Sequence, residues 1–312
     1  LLAAVANIDP AAEQAHLFTI AGLNTSGLRP SIETTVHALM PHRVVLHMHC
    51  VDTIAFAVRT DCVQQITPRL EGLNWAYVPY ARPGLPLALA IADNSAGRPD
   101  VLILANHGLV VAAETASAAE ALLADVKARL AIEPRAAPEP DLERLQELAT
   151  TSTPPSPLRG GVRGGGADAA ATSCDFAQSP YRLPDSDAAH AVATDAVSLT
   201  IAARGSLYPD HVIFLGEGSA IARAGEDAVA VVHRLGAPPA SIVFPGIGVL
   251  MRADVPPNAD AMARCLADVA ARIPADAPLR VLTAEEHLQL TDWDAEKYRQ
   301  DLARKAVAKK MA

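Results

Sequence analysis

Val44-Val45-Leu46-His47-Met48-His49 reads as a buried β-strand that ends in two imidazoles. Side chains alternate along a strand, so His47 and His49 leave the same face together. A divalent metal needs such a pair on a rigid element, and ligands often occur where a buried strand ends. The plainer alternative has one histidine packed and the other solvated.

Working outward, a helix is expected around Asp52–Val58, a short strand at Trp75–Val78 and a helix over Leu85–Asp93. Val101–Ala105 is an aliphatic strand run, broken near Gly108 and resumed over Leu109–Ala113. Ser117-Ala118-Ala119-Glu120 has the form of a capping box opening a helix to about Ile132. His107 stands at the break between the two strands, just before Gly108, whose missing side chain permits close backbone approach. A third imidazole there would complete a three-histidine set with one coordination position open, as catalytic zinc sites have. By itself, a histidine before a glycine is an ordinary loop residue. Upstream, Arg29-Pro30-Ser31-Ile32-Glu33 opens a helix that ends over His37–Met40. Glu33 is the candidate base, although an acid in a first helical turn also complements the helix dipole.

The chain has 312 residues, enough for two domains, and half of them are hydrophobic while only 4% are aromatic. Cores of small aliphatic side chains suit helices packed on sheets. The net charge of −9 and the absence of a basic run argue against a nucleic-acid partner. No apolar run reaches the ~20 residues of a membrane span, and no signal peptide is visible. Cys50, Cys62, Cys174 and Cys265 lack CxxC spacing, so neither a disulfide framework nor a thiolate metal site is expected, and a cytoplasmic setting is. The chain begins at Leu1 rather than Met, so a missing N-terminal portion is expected.

The composition divides the chain at residues 1–133, 134–173 and 174–312. The middle stretch is rich in Pro, Gly, Ser and Thr and reads as a linker or mobile loop around a short helix at Asp141–Ala149. No repeat of solenoid length is apparent, but the third stretch repeats the alternation of strands and helices. Helices are expected at Asp187–Arg204, Gly225–Leu235, Asn258–Arg272 and Trp293–Val307, and strands at Val212–Leu215, Ser241–Phe244 and Val249–Met251. The fold class is therefore α/β in both halves. Neither Gly216-Glu217-Gly218 nor Gly246-Ile247-Gly248 completes a dinucleotide fingerprint. Asp210-His211 reads as an ordinary loop, with a supporting role beside the site or a substrate contact as alternatives. His37 and His42 read as helix-end or surface residues, with approach to the metal as the alternative, and Tyr77 and Tyr80 as packing, with lining a pocket as the alternative.

In order, Ser31-Ile32-Glu33, His37, His47-Met48-His49 and Asn106-His107-Gly108-Leu109-Val110-Val111 resemble the class II aldolase/adducin family from about Asn24 to Glu133. The resemblance implies a three-layer α/β/α class II aldolase-like domain, with a second, smaller α/β domain following. It further implies zinc (or another divalent metal) on His47, His49 and His107, Glu33 as acid/base, and Ser31 helping to hold a phosphate. The implied reaction is carbon–carbon cleavage of a hydroxy-ketone sugar or sugar phosphate, and the implied assembly is a homo-oligomer, commonly a tetramer. Retro-aldol cleavage requires an enediolate to be stabilised, which a Lewis-acid metal does, while a nearby carboxylate moves the proton. The segment Ala38–Arg43 is shorter than in sugar-phosphate aldolases, and Gly22-Leu23-Asn24-Thr25-Ser26 only loosely echoes the family's phosphate-binding element. Epimerase, dehydratase or decarboxylase chemistry, or an adducin-like interaction module without catalysis, are the alternatives. Leu207–Val212 and Phe244–Gly248 resemble the extension of bifunctional rhamnulose-phosphate aldolase/dehydrogenase proteins.

Overall fold

The structure, a computed structural model, describes residues 1–8, 14–20, 22–23, 25, 30–150 and 180–291. The expected helix at Trp293–Val307, Cys174, most of the Pro/Gly-rich stretch and part of Gly22–Ser26 lie outside them.

The chain runs through α1 (Leu2–Ala6), a 3-10 turn (Ala15–Phe18), α2 (Thr34–Leu39), β1 (Val44–Met48), α3 (Val51–Ala57), α4 (Cys62–Ile66), β2 (Trp75–Val78), α5 (Leu85–Asn94), β3 (Val101–Leu104), β4 (Gly108–Ala113) and α6 (Ala116–Leu130). The four strands form one sheet in the order β1-β4-β3-β2, with β2 parallel to β3 and the other pairs antiparallel. Alternation along β3 and β4 divides their side chains between two cores. Val101, Ile103, Leu109 and Val111 pack with Phe56, Ile66, Val126 and Leu130 beneath α3, α4 and α6. Leu102, Leu104, Val110 and Ala112 pack with Val36, Met40, Leu87 and Ile91 beneath α2 and α5. Helices cover both faces, giving the three α/β/α layers. Each fully buried Val, Leu or Ile contributes about 1.5–3 kcal/mol of transfer free energy, so β3, buried at all four positions, anchors the sheet. β1 differs from expectation. It is an edge strand, only half-buried, with Met48 43% exposed.

Onward come α7 (Leu142–Thr150), β5 (Tyr181–Arg182), a 3-10 turn (Asp187–His190), α8 (Ala191–Thr194), α9 (Ala196–Ala202), α10 (Pro209–Leu215), α11 (Ala228–Leu235), β6 (Ser241–Phe244), β7 (Gly248–Arg252), α12 (Pro257–Ala270) and α13 (Ala284–Thr291). This half repeats the first. Its sheet has the order β5-β7-β6, and Ile221 bridges Val243 in parallel where β2 flanks β3. The hairpin loops match bond for bond. Asn106 N–H donates to Ala57 O at 2.9 Å and Gly246 N–H to Ala193 O at 2.8 Å. His107 N–H reaches Leu104 O at 3.1 Å and Ile247 N–H reaches Phe244 O at 3.0 Å. Asn106 and Gly246 both have positive φ, 51° and 73°. The sequence hides the duplication because Asn-His-Gly in one hairpin stands against Gly-Ile-Gly in the other.

Two expectations for this half are corrected. Val212–Leu215 is not a strand but the body of α10. A short apolar run fits a buried strand or a buried helix equally well, and Pro209 at the first helical position, with its preset φ, selects the helix. Asp187–Arg204 is not one helix. It breaks at Asp195, whose carboxylate caps α9 by accepting from Val197 N–H and Ser198 N–H. In the first half, α6 is capped by Thr115, which accepts from Ala118 N–H at 3.2 Å, two positions earlier than a box begun at Ser117 would place its start.

One core joins the halves: Ile54, Ala55 and Val58 on one side and Val192, Ile201, Val243, Val249, Leu266 and Ile273 on the other. Asp52 accepts from the Arg272 guanidinium at 2.9 Å across this seam. Residues 134–150, assigned by composition to the connecting stretch, are docked. Arg135 binds Asp195, Ser198 and the carbonyls of Ala270 and Ile273 at the end of α12, and Leu145 and Leu148 of α7 enter the second core. No helix among the described residues is long and apolar enough to cross a membrane.

Candidate metal centre

β1 delivers His47 near its end, and His49 follows one residue beyond it. The β3–β4 hairpin delivers His107. Antiparallel pairing of β1 with β4 sets Met48 against Leu109, so the loop carrying His107 lies beside the two-histidine strand end. The three rings converge with centroids 4.9–5.0 Å apart and steep mutual tilts of 73–88°. One ligand atom from each can lie within 4.8 Å of the others. The Nε2 atoms of His47 and His49 are 3.0 Å apart.

Gly108 makes this approach possible. A Cβ at that position would sit 2.6 Å from Met48 O, closer than real Cβ atoms come, and 3.3 Å from His49 Cδ2, a tight contact. Asn106 fixes the other side of the loop. Fully buried at a left-handed φ, it donates its amide to Leu207 O and Arg280 O, each at 2.8 Å, and accepts from the Arg280 guanidinium at 3.2 Å. The metal hairpin is thereby bolted to the second repeat. At the matching position of the second hairpin stands Ile247, which has no ligand atom.

Burial pushes the His47 pKa down to about 3, reinforced by the neighbouring His49 and His37, with Asp210 opposing. Burial likewise lowers His107 well below the usual histidine range, reinforced by His49 and His47, with Asp210 again opposing. Both imidazoles are therefore neutral at physiological pH, with lone pairs available. The Nδ1 atoms of His47 and His107 are buried without hydrogen-bond partners. The nitrogens that face each other inside the cluster, His47 Nε2 and His49 Nε2 at 3.0 Å, are brought together at a cost unless something satisfies both lone pairs, and a divalent cation between them would do so. The residues fit such an ion. Three imidazole nitrogens are also a zinc-type donor set that leaves a coordination position for substrate.

The other expected site residues lie on the turn into α2. Ser31 Oγ accepts from Glu33 N–H at 3.2 Å, fixing that turn. Glu33 lies one helical turn before His37, whose N–H bonds its carbonyl at 3.1 Å, and His37 is near enough to His47 for its charge to be felt there. α2 thus runs alongside the histidine cluster. His42 is drawn away to Asp100, at 2.8 Å. Tyr80 packs under the Arg280 guanidinium at 4.5 Å, lining a cleft of about 500 Å³ with Arg82 and Glu286.

Asp210 was undervalued from sequence. Its Oδ2 lies 2.8 Å from His49 Nδ1. Its one local signal was adjacency to another histidine, which proved irrelevant, because His211 points the other way, accepting from Leu207 N–H and facing Gly218 O.

Residues 6–132 match the family described as the Class II Aldolase and Adducin N-terminal domain. This segment belongs to the class II aldolase/adducin family. A Bacillus subtilis protein, "Uncharacterized oxidoreductase YuxG", is 39% identical over 89 residues, 28% of this chain and 13% of that protein. The chain thus matches only a small part of that relative's length. A solved N-terminal class II aldolase domain of a conserved protein from Thermoplasma acidophilum is 28% identical. That match covers 41% of this chain and 60% of that one, with a TM-score of 0.35. An aldolase II superfamily protein from Pseudomonas syringae is 25% identical, covering 34% and 46% respectively, with a TM-score of 0.29.

Proposed function

We propose that this class II aldolase/adducin domain is a divalent-metal-dependent lyase that cleaves a carbon–carbon bond in a small hydroxy-ketone sugar or its phosphate. The observation carrying this reading is the convergence of three imidazoles, His47, His49 and His107, on one point, with His47 and His107 held neutral by burial. Zinc, or a similar ion, held there supplies a Lewis acid for the carbonyl and adjacent hydroxyl oxygens of the substrate.

The chain's own residues supply the rest. Glu33, carried by α2 beside the cluster, takes the proton from, and returns it to, the substrate at the bond being broken. Ser31, exposed at the head of the same turn, offers a hydroxyl to a substrate phosphate. Gly108 and Asn106 hold the imidazoles at their spacing without touching substrate, the preorganisation that keeps reorganisation out of the reaction step. An interaction module with no catalysis gives no reason to converge three imidazoles on one point, so the enzyme reading is favoured. Residues 1–133 form the catalytic unit in this reading and 174–312 a supporting unit, in a cytoplasmic homo-oligomer.

The decisive experiment is a product assay. The zinc-loaded protein is incubated with a panel of ketoses and ketose phosphates, and released dihydroxyacetone, dihydroxyacetone phosphate or aldehyde is measured. Cleavage that disappears in His47→Ala/His49→Ala supports the reading. Interconversion of stereoisomers without cleavage replaces lyase by epimerase.

A further inference from the structure

Metal-binding histidines carry a second ring nitrogen, and what that nitrogen bonds to decides how the ring is held and how strongly it donates. At His49 the two nitrogens are divided between two tasks. Nε2 faces the cluster, 3.0 Å from His47 Nε2, and Nδ1 faces Asp210 Oδ2 at 2.8 Å. His47 and His107 have no such partner, since their Nδ1 atoms are buried without hydrogen bonds.

We propose that Asp210, contributed by the second repeat, is the positioning residue of the metal centre. Its carboxylate accepts the Nδ1 proton of His49, fixes the tautomer that presents Nε2 to the ion, and places a negative charge behind the ligand. This rests on the metal-centre reading above and deepens it, because the second repeat, which shows no such centre among the described residues, completes the one built on the first.

The placement is rigid. Pro209 sets the first turn of α10, and the residues flanking the Pro209–Asp210 pair, Tyr208 and His211, are 2% and 0% exposed. α10 packs on α12 and α13, and Val212 of α10 joins Leu282 and Leu290 in a core of their own. The Asn106 amide bonded to Leu207 O ties the same stretch to the loop that carries His107. The ordinary role for an acid in a first helical turn is to complement the helix dipole. That role needs no imidazole from another repeat within hydrogen-bond distance. The Asp210 side chain is also only 16% exposed, so the contact is shielded from water.

The test measures Zn²⁺ affinity by competition with a chromophoric chelator on the full chain, alongside urea unfolding of the metal-free protein. Asp210→Ala is expected to weaken Zn²⁺ binding by about 10–100-fold. Asp210→Asn, which keeps the shape and an acceptor oxygen but not the charge, should fall between it and wild type. The metal-free proteins should unfold at similar urea concentrations, and the visible absorption of bound Co²⁺ should shift in both variants. A residue serving only the helix dipole gives the reverse pattern, with lower stability and unchanged metal affinity and Co²⁺ spectrum, and that result overturns the proposal. If Asp210→Ala does not fold, Asp210→Asn decides, and wild-type affinity and spectrum in that variant refute the role. Failure of wild type to bind Zn²⁺ removes the centre itself and this proposal with it. Tight wild-type binding that is lost in His107→Ala but kept in both Asp210 variants removes only Asp210.

Discussion

Gly108→Ala tests whether the spacing of the three histidines depends on one missing methyl group. The added Cβ would lie 2.6 Å from Met48 O, where ordinary contact begins at 3.4 Å. The obstacle is backbone, not the end of a flexible side chain, so β1 and the β3–β4 loop must separate by about 0.8 Å at that point. His47 and His49 flank Met48 and His107 adjoins Gly108, so the displacement falls directly between the ligands. Metal–ligand distances tolerate deviations of only about 0.2 Å. Overpacking of this kind destabilises by about 1–3 kcal/mol, which a protein of this size should survive. The expected variant is folded by circular dichroism and unfolds at lower urea. Its Zn²⁺ affinity, by chelator competition, falls at least as far as the roughly 10–100-fold seen when a supporting partner of a ligand is lost. Gly248→Ala is the internal control. Its Cβ would meet Leu145 Cδ1 at 2.6 Å and His190 Nδ1 at 2.8 Å in the second hairpin, at a φ of 153°. It should lose stability and keep its zinc. Wild-type zinc affinity in Gly108→Ala would refute the claim that this close approach sets the ligand spacing, and equal zinc loss in both variants would point to general destabilisation.

Glu33→Gln should retain one zinc per chain by metal analysis yet lose exchange of the substrate carbon-bound proton with solvent, followed by NMR in D₂O; unchanged exchange removes Glu33 from the mechanism. Asn106→Ala leaves the buried carbonyls of Leu207 and Arg280 without their donors and strains a left-handed backbone, so denaturant titration should show a loss of about 2–5 kcal/mol. Asn106→Gly, which relieves the strain but not the lost bonds, should recover about 1 kcal/mol of it. His211 is fully buried, and burial pushes its pKa down to about 4 from 6.5. Its neutral form is the folded one, so its contribution is complete above pH 6.5 and is lost as pH falls toward 4. That amounts to about 3 kcal/mol, and in His211→Asn the slope of stability against pH in this window should decrease by up to about 1.4 kcal/mol per pH unit, as urea unfolding at several pH values would show.

Local pattern was enough for much of this protein. The unbroken aliphatic runs at Val101–Leu104 and Leu109–Ala112, interrupted near Gly108, marked two strands, and the helices of α5, α6 and α12 followed from spacing, breakers and caps. His47 and His49 were legible as a pair because two residues along a strand share a face whatever the strand packs against. Apolar character alone was not enough at residues 212–215, where strand and helix bury the same side chains and the backbone of Pro209 decides. Nor could it show that Val44–Met48 lies at a sheet edge, since edge or centre is a property of neighbours.

Tertiary structure decided the centre. His107 reaches His47 only because β4 pairs antiparallel with β1 and Gly108 lets the loop close to 2.6 Å of Met48 O for a notional side chain. Asp210 reaches His49 across more than half the chain because the second repeat docks on α3 through a shared core. The repeat itself was hidden because its hairpins conserve backbone bonds while exchanging Asn-His for Gly-Ile. Periodicity encodes which face a residue takes on its own element; which residues of other elements meet that face depends on packing and strand register.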